Sequence, residues 1–146
     1  MPGQPAGPEP LRATYQPPSV SVPLQEFLGI STSQRGDVIV GTMDVGDHSL
    51  NAAGNLHGGA IATLIDVTSG IAAARSGSYR PGENAIVTSD IHVRYLGRTT
   101  TASVRAEARV VRAGRQLVVV ETRVLDGNDR LVATADFSSM VVPSRP

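Results

Sequence analysis

Residues 51–74 read NAAGNLHGGAIATLIDVTSGIAAA, a run of small and apolar residues that holds a single acid. Gly58 and Gly59 open a run that is apolar or small from Ala60 to Ala74, with one exception, Asp66. Apolar character on every side predicts a buried helix. A carboxylate inside such a helix is costly unless it is hydrogen-bonded or serves a chemical task. The helix is expected to end near residues 75–77. There Arg75 meets the negative end of the helix dipole, and Gly77 can adopt a left-handed C-cap.

Moving towards the N-terminus, residues 47–54 form a loop rich in turn formers: Asp47, Ser49, Asn51 and Gly54. Residues 37–45, DVIVGTMDV, alternate as a first strand. Residues 23–30, PLQEFLGI, fit a short helix with a proline start and Gly29 near its end, anchored to the core by Phe27 and Leu28. Residues 1–23 carry seven of the ten prolines and are read as a disordered Pro/Gly-rich arm. Such a composition buries too little apolar surface to offset its ordering entropy.

Moving towards the C-terminus, the period changes from helical to two. In 87–96, Ile91, Val93 and Tyr95 alternate with Asp90, His92 and Arg94. In 102–111 the alternation is cleaner still, which predicts one inward and one wetted face. Residues 113–115 and 126–129 read as hairpin turns flanking a β-branched, central strand over 116–125. A last strand runs over 130–142 and stops at Pro143. The expected order is helix, strand, long helix, then four strands in an antiparallel meander. That is an α+β arrangement with one domain over 24–143 and a tail at 144–146.

Composition removes several function classes. Formal net charge is zero, so nucleic-acid or anionic-membrane binding gains no support. Cysteine is absent, which excludes disulfides, thiolate metal sites and a cysteine nucleophile. All thirteen basic residues are arginine, so a lysine Schiff base is excluded too. No signal peptide or membrane span is visible, and the expected location is cytoplasmic. There is no G-x-S-x-G elbow, Walker A sequence or dinucleotide fingerprint. His48 and His92 read as surface residues without metal-site spacing, and no metal is expected.

The pattern N-x-x-G-x-L-H-G-G-(x6)-D, formed by Asn51, Gly54, Leu56, His57, Gly58, Gly59 and Asp66, resembles the hotdog-fold acyl-CoA thioesterases. The branch it is most similar to is the phenylacetic-acid-pathway type. The resemblance extends over all but the first twenty or so residues. It implies an antiparallel sheet wrapped around one long helix, hydrolysis of an acyl-CoA thioester, and dimers often paired into tetramers with sites at the subunit interface. It implies no cofactor, since coenzyme A arrives as part of the substrate.

Thioester hydrolysis needs a stabiliser for the oxyanion and a carboxylate that activates water or attacks directly. A helix N-terminus offers free N–H groups, and glycine lets a carbonyl approach them. Gly58 N–H is therefore the expected oxyanion donor, with Gly59 beside it and the Asn51 amide as a second contact. Asp66 is the expected general base or nucleophile. It lies nine residues from His57, roughly 13 Å along a helix axis. A reaction centre shared by both ends of this distance implies two chains related by a two-fold axis.

The family places a serine or threonine on the following strand near the carboxylate, and Thr88 occupies that position. Ser89 is expected to face the other way. His57 is a candidate substrate contact, with a capping role as the competing reading. Arg80, Arg94 and Arg98 are candidates for the coenzyme A phosphates. Two other readings compete: a hotdog hydratase or dehydratase using His57 and Asp66, and a non-catalytic acyl-CoA binder or sensor. The scarcity of aromatic residues, two Phe, three Tyr and no Trp, favours an aliphatic or broad acyl group.

Overall fold

The structure, a computed structural model, describes residues 19–145; most of the proline-rich arm lies outside the described residues. After a one-turn helix α1 (Pro23–Phe27) come β1 (Ser31–Arg35) and β2 (Val38–Asp44). The long helix α2 (Gly58–Arg75) follows. It leads to β3 (Asn84–Tyr95), β4 (Ser103–Ala113), β5 (Leu117–Asp126) and β6 (Leu131–Pro143). The six strands form one antiparallel sheet in the order β1-β2-β4-β5-β6-β3. The sheet curves around α2, which touches five of its strands. This is the hotdog arrangement.

Two expectations about the sheet are corrected. Residues 31–35 are a strand, joined to β2 through Gly36 and Asp37, with Gly36 at φ 61°. Asp37 has no positive φ, and a positive φ at the first residue alone of a two-residue connection is the pattern of a II′ hairpin turn. Nor do the last four strands form a simple meander. β4, β5 and β6 do, but β3 pairs with β6 at the far edge, while β4 pairs back to β2. Residues 96–102 carry the chain from one side of the sheet to the other.

The helix is buried on one face only. Ala60, Ile61, Leu64, Ile65, Thr68, Ser69, Ala72 and Ala73 are buried, a stripe recurring every four residues. The opposite stripe, including Ala62, Thr63, Asp66, Val67, Gly70 and Ala74, is half-buried. Asp66 therefore stands at the rim of the core rather than in it. Each buried Ile or Leu contributes roughly 1.5–3 kcal/mol. Close approach to the sheet depends on Gly41, where a Cβ would lie 2.1 Å from Thr68 Oγ1. A buried hydroxyl pair, Ser69 Oγ and Thr122 Oγ1 at 2.8 Å, fixes the helix against β5.

At the helix end, Ser76 is the C-cap and Gly77 follows at φ 91°, as the sequence predicts. Of the two α1 anchors, Leu28 is buried in the main core, but Phe27 is 62% exposed. The Phe27 ring instead meets His48 edge-on at 5.8 Å. A helix of one turn turns only one of two adjacent side chains inward.

Candidate active site

The first turn of α2 presents four backbone N–H groups, and three are occupied. His57 is the N-cap, and its Nδ1 accepts from Gly59 N–H at 2.8 Å. The His57 carbonyl accepts from Ala60 N–H at 3.0 Å and Ile61 N–H at 3.1 Å. Gly58 N–H alone has no acceptor among the described residues. It faces outward with the positive end of the helix dipole behind it. His57 is held in turn by its own N–H, which donates to Ser49 O at 2.8 Å.

Gly58 is covered from one side by Tyr95, the last residue of β3. The Tyr95 hydroxyl donates to Gly58 O at 2.9 Å, and a Cβ on Gly58 would lie 3.3 Å from the ring. Tyr95 enters the sequence reading only as an inward strand residue. Its place beside the helix start follows from the pairing of β3 with β6, which strand alternation does not reveal. Beside it opens a cleft of about 220 Å³, lined by Asn55, Leu56, Gly58, Ile61, Tyr95 and Arg98 among others. Arg98 thus stands at the helix N-terminus.

Asn51 lies in the loop leading to that cleft. Its Oδ1 accepts from Ala53 N–H at 3.0 Å and Asn55 N–H at 3.1 Å, closing the loop on itself. The side-chain NH₂, a donor, is not used in this turn.

Two turns along α2, Asp66 faces β3. Its Oδ1 accepts from Thr88 Oγ1 at 2.9 Å, and Oδ2 has no protein partner among the described residues. Thr88 sits at a β-bulge, where the register with β6 slips between Thr88 and Asp90. A bulge re-aims the side chains around it. Thr88 turns to the helix, while Ser89 bonds away from it to Ser138, at 3.1 Å to both the carbonyl and the hydroxyl.

Two separate features of α2 thus stand out in the chain: a free N–H with its cleft at Gly58, and a carboxylate, Asp66, held by a threonine. Eight residues of helix separate Gly58 from Asp66, about 12 Å along the axis. Arg80 lies beyond the other end of α2, and its N–H donates to Asn84 Oδ1 at 2.7 Å. Arg94 points to the outer face of the sheet, 3.1 Å from Asp136, so neither of these arginines joins Gly58 within the chain. Among the described residues no group of three His, Cys, Asp or Glu is placed to hold a metal ion, and no helix is long and apolar enough to cross a membrane.

Comparison with known proteins bears on the fold and the family. A protein of Bacillus halodurans solved with CoA superposes with a TM-score of 0.78 at 28% identity, over 88% of this chain and 83% of that one. A thioesterase of Haemophilus influenzae shares the fold with a TM-score of 0.76 at 24% identity, over 82% of each chain. A "putative esterase" of Halobacterium salinarum is 40% identical over 76 residues, 52% of this chain and 49% of the relative. The chain spans about half the length of the curated relatives it matches. The thioesterase superfamily model matches residues 53–133, a span that includes Gly58, Asp66 and Thr88 and more than half of the 146 residues. The chain belongs to the thioesterase superfamily.

Proposed function

We propose that this protein is an acyl-CoA thioesterase of the phenylacetic-acid-pathway type, acting as a dimer in which each site joins Gly58 of one subunit to Asp66 of the other. The observation that carries the reading is the single unoccupied N–H of the first helical turn, at Gly58, on the same helix as a carboxylate with one free oxygen. In hydrolysis, Gly58 N–H donates to the thioester oxygen as it gains charge. Asp66 either takes a proton from the attacking water or attacks the carbonyl carbon itself, giving an anhydride that water then opens. The C–S bond breaks and the thiolate leaves to be protonated as coenzyme A. Thr88 orients the carboxylate, and the Asn51 NH₂ supplies a second contact to the thioester.

The separation within one helix favours a two-chain site, and the sheet edges favour a particular pairing. β1 is a short, polar edge of five residues. β3, the other edge, has twelve residues and lies beside the half-buried stripe of α2. A long uncovered edge is a template for another strand. Two β3 edges meeting across a two-fold axis would bring the two α2 helices together in opposite directions. Pairing of such dimers into tetramers belongs to the same reading. Coenzyme A is here part of the substrate, as similarity to a CoA-bound protein supports, and no cofactor is invoked.

The test is coenzyme A release, read with a thiol reagent, from short, long, phenylacetyl and hydroxybenzoyl thioesters. Native protein should turn over part of the panel. Asp66→Asn, still folded and dimeric, should lose at least 100-fold in kcat, the scale of general base catalysis. Equal rates for the two proteins would remove Asp66 from the chemistry. Binding without turnover by native protein would move the sensor reading ahead.

A further inference from the structure

Two adjacent peptide planes open α2, and each is tied down differently. The first, between His57 and Gly58, carries the free Gly58 N–H. Its carbonyl, His57 O, accepts from Ala60 N–H and Ile61 N–H. The second lies between Gly58 and Gly59 and is bonded at both ends. Its carbonyl, Gly58 O, accepts from the Tyr95 hydroxyl at 2.9 Å, and its N–H, that of Gly59, donates to His57 Nδ1 at 2.8 Å. One unbroken series of hydrogen bonds results, from the Tyr95 hydroxyl through the Gly58–Gly59 peptide to the His57 ring. Bonds in such a series polarise and strengthen one another.

The clamp sits where the backbone is loosest. Residues 58 and 59 are both glycine, the residue with the most conformational freedom, and they lie at a helix end, where helices fray. Tyr95 brings the rigidity of the sheet to this turn. It pairs with Ala133 of β6, and the next two N–H groups, of Leu96 and Gly97, both donate to Val132 O, at 2.9 and 3.1 Å. Val132 and Ala133 are buried. Because Gly58 has no side chain, the Tyr95 ring can lie against it. Tyr95 itself is 54% exposed, so water can take over its hydroxyl at little cost, and the core does not depend on the bond.

We infer that Tyr95 is a positioning residue for the thioesterase reaction: through the Gly58–Gly59 peptide it fixes both the direction of the Gly58 N–H and the tautomer of His57. For its effect on rate the inference rests on the proposed role of Gly58 as oxyanion donor. For its effect on His57 it rests on the hydrogen-bonded series alone. An oxyanion donor acts best when it is aimed before charge develops. A first turn that rocks about two glycines spends part of its time misaligned. Nδ1 is the acceptor in the series, so a neutral His57 ring carries its proton on Nε2. Without the Tyr95 hydroxyl the Gly59 N–H is a weaker donor, and the tautomer protonated on Nδ1 becomes accessible.

The test is Tyr95→Phe in the full chain, which removes the hydroxyl and keeps the ring that lines the cleft beside Gly58. Where native protein hydrolyses an acyl-CoA, kcat and kcat/KM should fall together by on the order of ten-fold, with KM unchanged. That is part of the roughly 100-fold or more that loss of an oxyanion donor costs. An unchanged kcat overturns the inference, as does a rise in KM with kcat intact, which would make Tyr95 a substrate contact. Nitrogen-15 spectra of the neutral imidazoles need no substrate, and His57→Gln identifies the His57 signals by their loss. Native protein should show His57 as the Nε2–H tautomer alone. Tyr95→Phe should move both ring nitrogens towards the average of two tautomers. If native protein hydrolyses no thioester, the thioesterase reading fails, while this spectral change still supports the positioning of His57 by Tyr95. Identical His57 spectra in the two proteins overturn it.

Discussion

Gly41→Ala is the sharpest test of how the helix is seated. Gly41 lies in the middle of β2, opposite Ala106 on β4. A Cβ there would lie 2.1 Å from Thr68 Oγ1 and 3.2 Å from Leu64 Cδ1, against 3.4 Å or more for ordinary contact. The hydroxyl cannot yield easily. Thr68 is fully buried, and its Oγ1 donates to Leu64 O at 2.7 Å. A β-branched side chain within a helix also has few rotamers open to it. The helix must therefore lift from the sheet by about 1 Å, or Thr68 must break its bond. Overpacking of this kind costs about 1–3 kcal/mol. Replacing glycine in a strand returns roughly 0.5–1 kcal/mol. The expected net loss is about 1–2 kcal/mol. In a Thr68→Ala background the offending atom is gone, and Gly41→Ala should be close to neutral. Urea unfolding of the four proteins, with m unchanged, closes the cycle with a coupling of about 1–2 kcal/mol. Because Asp66 is one half-turn before Thr68, a lifted helix also draws Asp66 off Thr88. Thioesterase kcat should fall in Gly41→Ala and return towards the Thr68→Ala value in the double variant. Equal destabilisation by Gly41→Ala in both backgrounds would refute the steric argument.

Other perturbations probe the site and the sheet separately. His57→Ala removes the acceptor of Gly59 N–H and should cost about 1 kcal/mol in urea unfolding, the worth of a helix N-cap. Thr88→Val removes the hydrogen bond to Asp66 while keeping the shape of the side chain; kcat should drop roughly 10–100-fold with little change in KM, and Thr88→Ser should restore most of it. Acid stability tests the outer face of the sheet. Burial raises the Glu107 pKa, but hydrogen bonds and charge from Arg105 and Arg35 outweigh it and hold the carboxyl below its ordinary 4.5. The native state therefore binds fewer protons than the unfolded state as pH falls past 4.5. The contribution is complete above that pH and is lost as pH falls through the lower native value. Glu107→Gln should flatten the fall of stability below pH 4.5, measured by thermal melts across pH 3–6; an unchanged slope would show that the pair adds nothing.

What the sequence reveals and what it hides follow from the range of the forces involved. The α2 helix, the left-handed Gly77 just past its Ser76 C-cap and the β4–β5 and β5–β6 hairpins depend on neighbours a few residues apart, and all are legible. Strand β1 is not, because its residues STSQR pair along a polar edge and bury no side chain fully, so no alternation marks it. Its one local signal is Gly36-Asp37, two turn-forming residues immediately before an apolar run. The place of β3 is hidden for a different reason. Period-two alternation tells which way a strand faces but not which strand lies beside it. The choice of β6 over β4 is made by contacts some fifty residues apart, across the seven-residue crossing of 96–102. That choice controls the site. It carries Tyr95 to Gly58 and Thr88 to Asp66, and leaves one long strand edge free beside the carboxylate. The same ignorance of pairing makes Asp66 look buried. An apolar stripe reads alike whether it meets the protein's own sheet or a second molecule, and the stripe around Asp66 is half-buried in the single chain. Its apolar composition therefore fits the proposed dimer, in which a second helix would cover this stripe and divide the site between two chains.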